Sequence, residues 1–185
     1  MSSITMKKYF VLICCVFTLS LPLAVFATDV GDQLPPFSGV DMDGKSVDLG
    51  EVIGEKPVML VFWASWCTNC KTEIPKINEL VEKYQKKGLE CISINVGMND
   101  TEQKARKYMA DYKITCPVVF DKTGALSEKY QIPQVLTVLV ARKDGKVVMK
   151  FLNAPEIDDV NFRGLMQLPP TEEELKADFS VPAIE

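Results

Sequence analysis

Two rhythms of apolar residues divide the chain. Residues 58–63, Val-Met-Leu-Val-Phe-Trp, form an unbroken apolar run, the mark of a strand buried on both faces. Ile92, Ile94 and Val96 alternate with Cys91, Ser93 and Asn95, predicting a second strand over 90–96 whose small-residue face lets a helix pack close. Residues 117–120 read as a third. Residues 135–141 and 146–152 read as an antiparallel pair around Lys143-Asp144-Gly145. The other rhythm is helical. Ile74, Ile77, Val81 and Tyr84 recur at the spacing of one helix face and predict a helix over 71–87, bent at Pro75 and ended by Gly88. A second helix over 101–112 is capped by Asn99 or Asp100 and turns Ala105, Tyr108 and Met109 inward. A short helix follows at 125–130. A closing helix over 155–166 takes Ile157, Val160 and Leu165 as its inner contacts. Before all of these, segments 37–40 and 45–49 flank the turn Asp41-Met42-Asp43-Gly44 and predict a hairpin. Strands alternating with helices argue for an α/β domain with helices on both faces of the sheet.

The first 27 residues follow a third pattern. Lys7 and Lys8 precede an uncharged run over 9–27 that contains Pro22 and closes on Val25-Phe26-Ala27, the layout of a secretory signal peptide cut after Ala27. A membrane anchor formed by residues 9–27 is the alternative, because the run approaches spanning length. The domain then occupies 28–168. Residues 169–185 form a tail that opens on Pro169-Pro170 and holds a capping-box pattern at 171–174, without an assigned role.

Length and charge narrow the field. A chain of 185 residues is long enough for one good core. Its net charge is −4, and the two lysines of the leader are unaccompanied by acids, so the remainder holds 19 basic against 25 acidic side chains. That balance argues against nucleic acid as a partner. Export places the cysteines in an oxidising compartment. Cys14 and Cys15 leave with the leader, and four of the six cysteines remain.

Two of the four stand where the first strand gives way to the first helix, in Trp66-Cys67-Thr68-Asn69-Cys70-Lys71. A helix N-terminus presents unpaired N–H groups and the positive end of the dipole, so Cys67 ionises more readily there than a free cysteine. The thiolate is the nucleophile of disulfide exchange, and C-x-x-C places Cys70 one turn away, ready to displace a mixed disulfide. A zinc site is the rival use of such a pair. With no histidine and no second C-x-x-C in the chain, a metal is not expected. Neither C-x-x-C-H nor a glycine-rich phosphate loop occurs, so no cofactor is expected either.

Phe62-Trp63-Ala64-Ser65-Trp66-Cys67, Cys70-Lys71 and Glu73-Ile74-Pro75 resemble the TlpA/ResA group of bacterial extracytoplasmic thiol-disulfide oxidoreductases. The likeness begins near Val30-Gly31-Asp32, in an opening segment shared with AhpC/TSA-type peroxiredoxins, and runs to Gly145-Lys146-Val147. The resemblance implies a thioredoxin fold: a central mixed sheet with helices on both faces, an added N-terminal β-hairpin and an inserted αβ unit. It also implies protein thiols and disulfides as substrates, a reducing role such as keeping apocytochrome or metal-site thiols reduced, and a membrane dithiol as electron donor. The chain is expected to act as a monomer.

The resemblance carries over to single residues. Cys67 is the nucleophile and Cys70 the resolving thiol. Glu73 matches a glutamate that assists proton transfer in the group, while plain helix capping is its competing role; Val61 stands where general thioredoxins carry a buried acid. Trp66 offers a flat apolar surface beside the sulfur for docking a partner's disulfide, with core packing as its competing role, and Val135, Leu136 and Thr137 correspond to the groove that receives the substrate strand. Leu136 is the chief departure, since the group has a cis-proline directly before this threonine. A cis bond before a non-proline residue costs about 2.5–4 kcal/mol, which leaves the isomer of the 135–136 peptide open. Cys91 and Cys116 begin two strands of one sheet; if these are parallel neighbours, a structural disulfide joins them, and otherwise they are two buried thiols.

Two other classes compete with an oxidoreductase. One is a peroxidase, suggested by the opening segment. The other is a non-catalytic thioredoxin-fold binding module, suggested by Leu136.

Overall fold

The computed structural model describes residues 28–169. The expected leader and the capping-box helix of the tail lie outside the described residues. Twelve elements follow in order: β1 (Ser38–Val40), β2 (Ser46–Asp48), α1 (Leu49–Val52), β3 (Val58–Trp63), α2 (Thr68–Gln85), β4 (Glu90–Asn95), α3 (Glu102–Tyr112), β5 (Val118–Phe120), α4 (Ala125–Lys129), β6 (Thr137–Ala141), β7 (Val147–Phe151) and α5 (Asp159–Leu165).

The main sheet has the order β5-β4-β3-β6-β7. β3, β4 and β5 run parallel, joined by the crossover helices α2 and α3; β6 runs antiparallel to β3, and β7 antiparallel to β6. This is the mixed sheet of a thioredoxin-like α/β fold with an N-terminal addition, for β1 and β2 pair only with each other.

Burial explains why β3 lies at the centre. All six of its residues are buried, as a strand with neighbours on both edges and helices on both faces requires. Helix α2 buries Ile74, Ile77, Val81 and Tyr84 on one face. Pro75 lies in its second turn on the exposed side, and the helix continues through it. Beyond Gln85 the chain turns at Gly88, whose φ of +107° is one that a side chain rarely tolerates.

Several details depart from the pattern-based expectations. Helix α2 begins at Thr68, three residues earlier than periodicity indicates, because polar Thr68 and Asn69 carry no apolar signal. Helix α3 is capped by Thr101, whose hydroxyl accepts from Lys104 N, rather than by Asn99 or Asp100. In α5 the inward residues are Phe162 and Leu165, while Val160 is 61% exposed. With the helix beginning at Asp159, positions three apart define the inner face and Val160 falls outside it. Ile157 is buried just before the helix, where its carbonyl accepts from the Tyr84 hydroxyl at 3.0 Å.

Candidate active site

Strand β3 delivers the chain to the C-terminal edge of the sheet, and a four-residue turn leads into α2. Cys67 is the N-cap of that helix: its Sγ accepts the backbone N–H of Cys70 at 3.1 Å. The two sulfurs are joined as a disulfide, with Cα atoms 5.3 Å apart. Cys70 is fully buried and Cys67 is 5% exposed. Attack from outside therefore reaches Cys67 first. When the pair is reduced, the same N–H group and the dipole of an 18-residue helix favour a thiolate at Cys67. No acidic side chain in the first turn of α2 opposes this.

Trp66 stands before the nucleophile and is 44% exposed. Its indole N–H donates to Met98 O at 2.8 Å, which fixes the ring against the loop after β4. Beside it runs a groove of about 730 Å³ lined by Val96, Met98, Ile132, Pro133 and Val135 as well as Trp66. Of the four groove residues expected from the resemblance, Trp66 and Val135 line it. Leu136 is 1% exposed and Thr137 is fully buried, its hydroxyl donating to Gln134 O at 2.6 Å. The 135–136 peptide is cis, so the trans alternative does not apply.

Glu73 lies one turn beyond Cys70 and is buried. Its Oε1 accepts from Lys76 Nζ at 2.7 Å and its Oε2 from Ala154 N at 2.9 Å. The Lys76 hydrogen bond above all, then the Ala154 N–H, hold its carboxyl below the usual carboxylate range, with burial opposing them. Glu73 thus stays ionised at neutral pH and also fastens α2 to the loop after β7. Asn69 ties the same loop, donating to Leu152 O at 3.0 Å.

Asp100 is the site residue that sequence patterns miss. Its Oδ2 accepts Ser65 N and its Oδ1 the Ser65 hydroxyl, both at 2.6 Å, and Asn95 Nδ2 and Thr101 N complete the set at 2.9 Å. Burial works against the charge, yet the bonds from Asn95, Ser65 and Thr101 leave the carboxyl below its ordinary range. The carboxylate clamps the residue two before Cys67. Its only sequence signal, an Asn-Asp-Thr stretch ahead of a helix, reads equally well as a cap.

Cys91 and Cys116 are joined at the opposite edge of the sheet, with Cα atoms 5.6 Å apart. β4 and β5 are parallel neighbours, so the chain entering one lies beside the chain entering the other. Both cysteines are buried. Among the described residues, no cluster of three or more metal-ligating side chains occurs.

A thioredoxin-like sheet that presents a largely shielded C-x-x-C disulfide at a helix N-terminus defines a thiol-disulfide oxidoreductase acting on protein substrates. The comparisons agree. Residues 30–150 match the AhpC/TSA family, and the chain belongs to that family, among its ResA-like thiol-disulfide oxidoreductases. It is 35% identical over 123 residues to a thiol-disulfide oxidoreductase ResA of Bacillus cereus, covering 66% of this chain and 69% of that one. The ResA of Geobacillus thermodenitrificans is 34% identical, with 65% and 68% covered. Among solved structures, a candidate thiol:disulfide interchange protein DsbE from Chlorobium tepidum superposes with a TM-score of 0.62 at 27% identity, over 76% of this chain and 95% of that one. StoA from Bacillus subtilis, at 21% identity and a TM-score of 0.57, shares the fold over 65% of this chain and 90% of that one.

Proposed function

We propose that the protein is an exported reductant of protein disulfides. The observation that carries this reading is the N-cap position of Cys67, where the Cys70 N–H and the dipole of α2 converge on one sulfur. In the reduced enzyme the Cys67 thiolate attacks a substrate disulfide, forming a mixed disulfide and releasing one substrate thiolate. Cys70 gives up its proton and attacks Cys67 Sγ, expelling the second substrate thiolate. Two electrons have then moved to the substrate, and the Cys67–Cys70 bond has formed. Glu73, one turn from Cys70, receives the proton directly or through water.

Export rests on the leader pattern of residues 1–27, with cleavage after Ala27. Among the described residues no helix is long and apolar enough to cross a membrane. A membrane dithiol protein returns electrons to Cys67–Cys70, Cys91–Cys116 serves as a structural bond, and the enzyme works as a monomer. Insulin reduction by the native chain and by Cys67→Ser tests the core of this reading: activity confined to the native chain supports it, and equal activities overturn it. Redox equilibration with glutathione tests direction. A potential below about −200 mV fits a reductant, and one near −120 mV marks an oxidant.

The match to the AhpC/TSA family favours a second reading, a peroxidase. Hydrogen peroxide consumption that continues in Cys70→Ser and exceeds insulin reduction in rate would establish it.

A further inference from the structure

On the side of the disulfide formed by α2 and α3, a cavity of about 290 Å³ is lined by Ser65, Lys71, Lys104, Lys107, Tyr108 and Asp111, with Tyr112 beside them. Ser65 is two residues before Cys67 and Lys71 follows Cys70, so the wall takes in the chain on either side of the reactive pair, although neither cysteine lines it. Three lysines and one acid, Asp111, line the cavity, and the Asp100 carboxylate stands behind its wall on Ser65. Asp111 pairs with Lys107 at 2.8 Å, whereas the ammonium groups of Lys71 and Lys104 have no ion-pair or hydrogen-bond partner among the described residues. Tyr108 forms part of the wall; it is 5% exposed, and its buried hydroxyl finds no hydrogen-bond partner among the described residues either. Lysines outnumber the acids of this lining, although the chain as a whole has more acidic than basic side chains.

We infer that this cavity reads acidic side chains flanking the cysteine of a protein partner, so that preferred partners are acidic next to the sulfur they exchange. The inference rests on the oxidoreductase reading and adds a partner class to it. The apolar groove beside Trp66 contributes one charged side chain, Glu128, and cannot supply that preference. Lysines bordering a reactive centre raise the encounter rate with anionic partners and discriminate against cationic ones. Lysine acts there as a point charge, without the bidentate geometry that would demand one fixed pose.

Three synthetic peptides test this, each with one cysteine capped by thionitrobenzoate and identical except for Glu-Glu, Gln-Gln or Lys-Lys beside it. Attack by the reduced enzyme's Cys67 thiolate on the peptide sulfur forms the mixed disulfide and releases coloured thionitrobenzoate. Cys70 then closes the ring and frees the peptide thiolate. At low ionic strength the Glu-Glu peptide is expected to react about tenfold faster than Gln-Gln, and the ratio to fall towards one at about 1 M salt. In Lys104→Glu/Lys107→Glu the ratio should fall to one or invert, the Gln-Gln rate serving as internal reference. If that charge reversal prevents folding, Lys104→Gln/Lys107→Gln takes its place and should give an intermediate ratio. Equal rates for all three peptides, or preference for Lys-Lys, overturn the inference. So does salt-sensitive retention on phosphatidylglycerol vesicles without peptide discrimination, which assigns the lysines to a membrane surface. Absence of colour from every peptide defeats the oxidoreductase reading itself.

Discussion

Ser65 is held twice by one carboxylate: Asp100 accepts both its backbone N–H and its hydroxyl, each at 2.6 Å. The residues are 35 apart in sequence, and their contact fixes the turn that presents Trp66 and Cys67. Replacing Asp100 with Ala leaves the partly buried Ser65 and Asn95 donors without an acceptor, an expected cost of about 1–3 kcal/mol in urea unfolding. Insulin reduction by the folded Asp100→Ala enzyme is expected to fall several-fold.

The same carboxylate gives a pH prediction. Its folded-state carboxyl is held below the ordinary value of about 3.9, so its stabilising contribution is complete above that value and fades as pH falls through the folded one. Unfolding followed from about pH 6 to about pH 2 should show a shallower acid limb in Asp100→Asn than in the native chain. Identical limbs would mean that the Ser65 clamp does not depend on charge.

Glu73→Gln keeps an acceptor for the Ala154 N–H and removes the base. The first exchange step, read from thionitrobenzoate release, should be unchanged, while ring closure slows about tenfold or more near neutral pH. Because the Lys76 and Ala154 bonds keep Glu73 ionised, no titration of this group should appear in the native rate profile from mildly acidic to mildly alkaline pH.

Cys91→Ser/Cys116→Ser opens a cross-link between residues 25 apart. The expected loss is about 3 kcal/mol of stability, with insulin reduction retained. In the denatured, unreduced native domain with Cys67 and Cys70 blocked, thiol titration should find no free sulfur, and two would remove the bond.

Gly97 has φ +68°, and a methyl group added there would run into the backbone carbonyl of Asp121. Gly97→Ala is expected to cost about 1–3 kcal/mol. It should also slow insulin reduction, because Met98 and Asp100 belong to the same loop.

The elements legible in the sequence are those whose signal is local. The apolar run of β3, the alternation of β4 and the i, i+3, i+7, i+10 spacing of Ile74, Ile77, Val81 and Tyr84 in α2 are enough to put the C-x-x-C at a strand-to-helix junction. The four-residue α1 is too short for a period, and the face of Val160 depends on where α5 starts. Asp100 is hidden for a different reason. A helix-capping stretch offers several oxygens to the same backbone donors, and only the pairing of β3 beside β4 puts Ser65 within reach of one of them. The cis form of the 135–136 peptide is equally out of reach, since Leu136 lacks the ring that makes this isomer readable from sequence.

The helix bearing both sulfurs is secured from far downstream: Asn69, Glu73 and Tyr84 bond to residues 152, 154 and 157, which are 83, 81 and 73 positions later. On the ribosome, then, the reactive pair emerges long before the stretch that latches it, and Cys91 and Cys116 appear in the interval. Four thiols thus coexist on an unfinished chain before residues 152–157 arrive to fasten the helix that carries two of them.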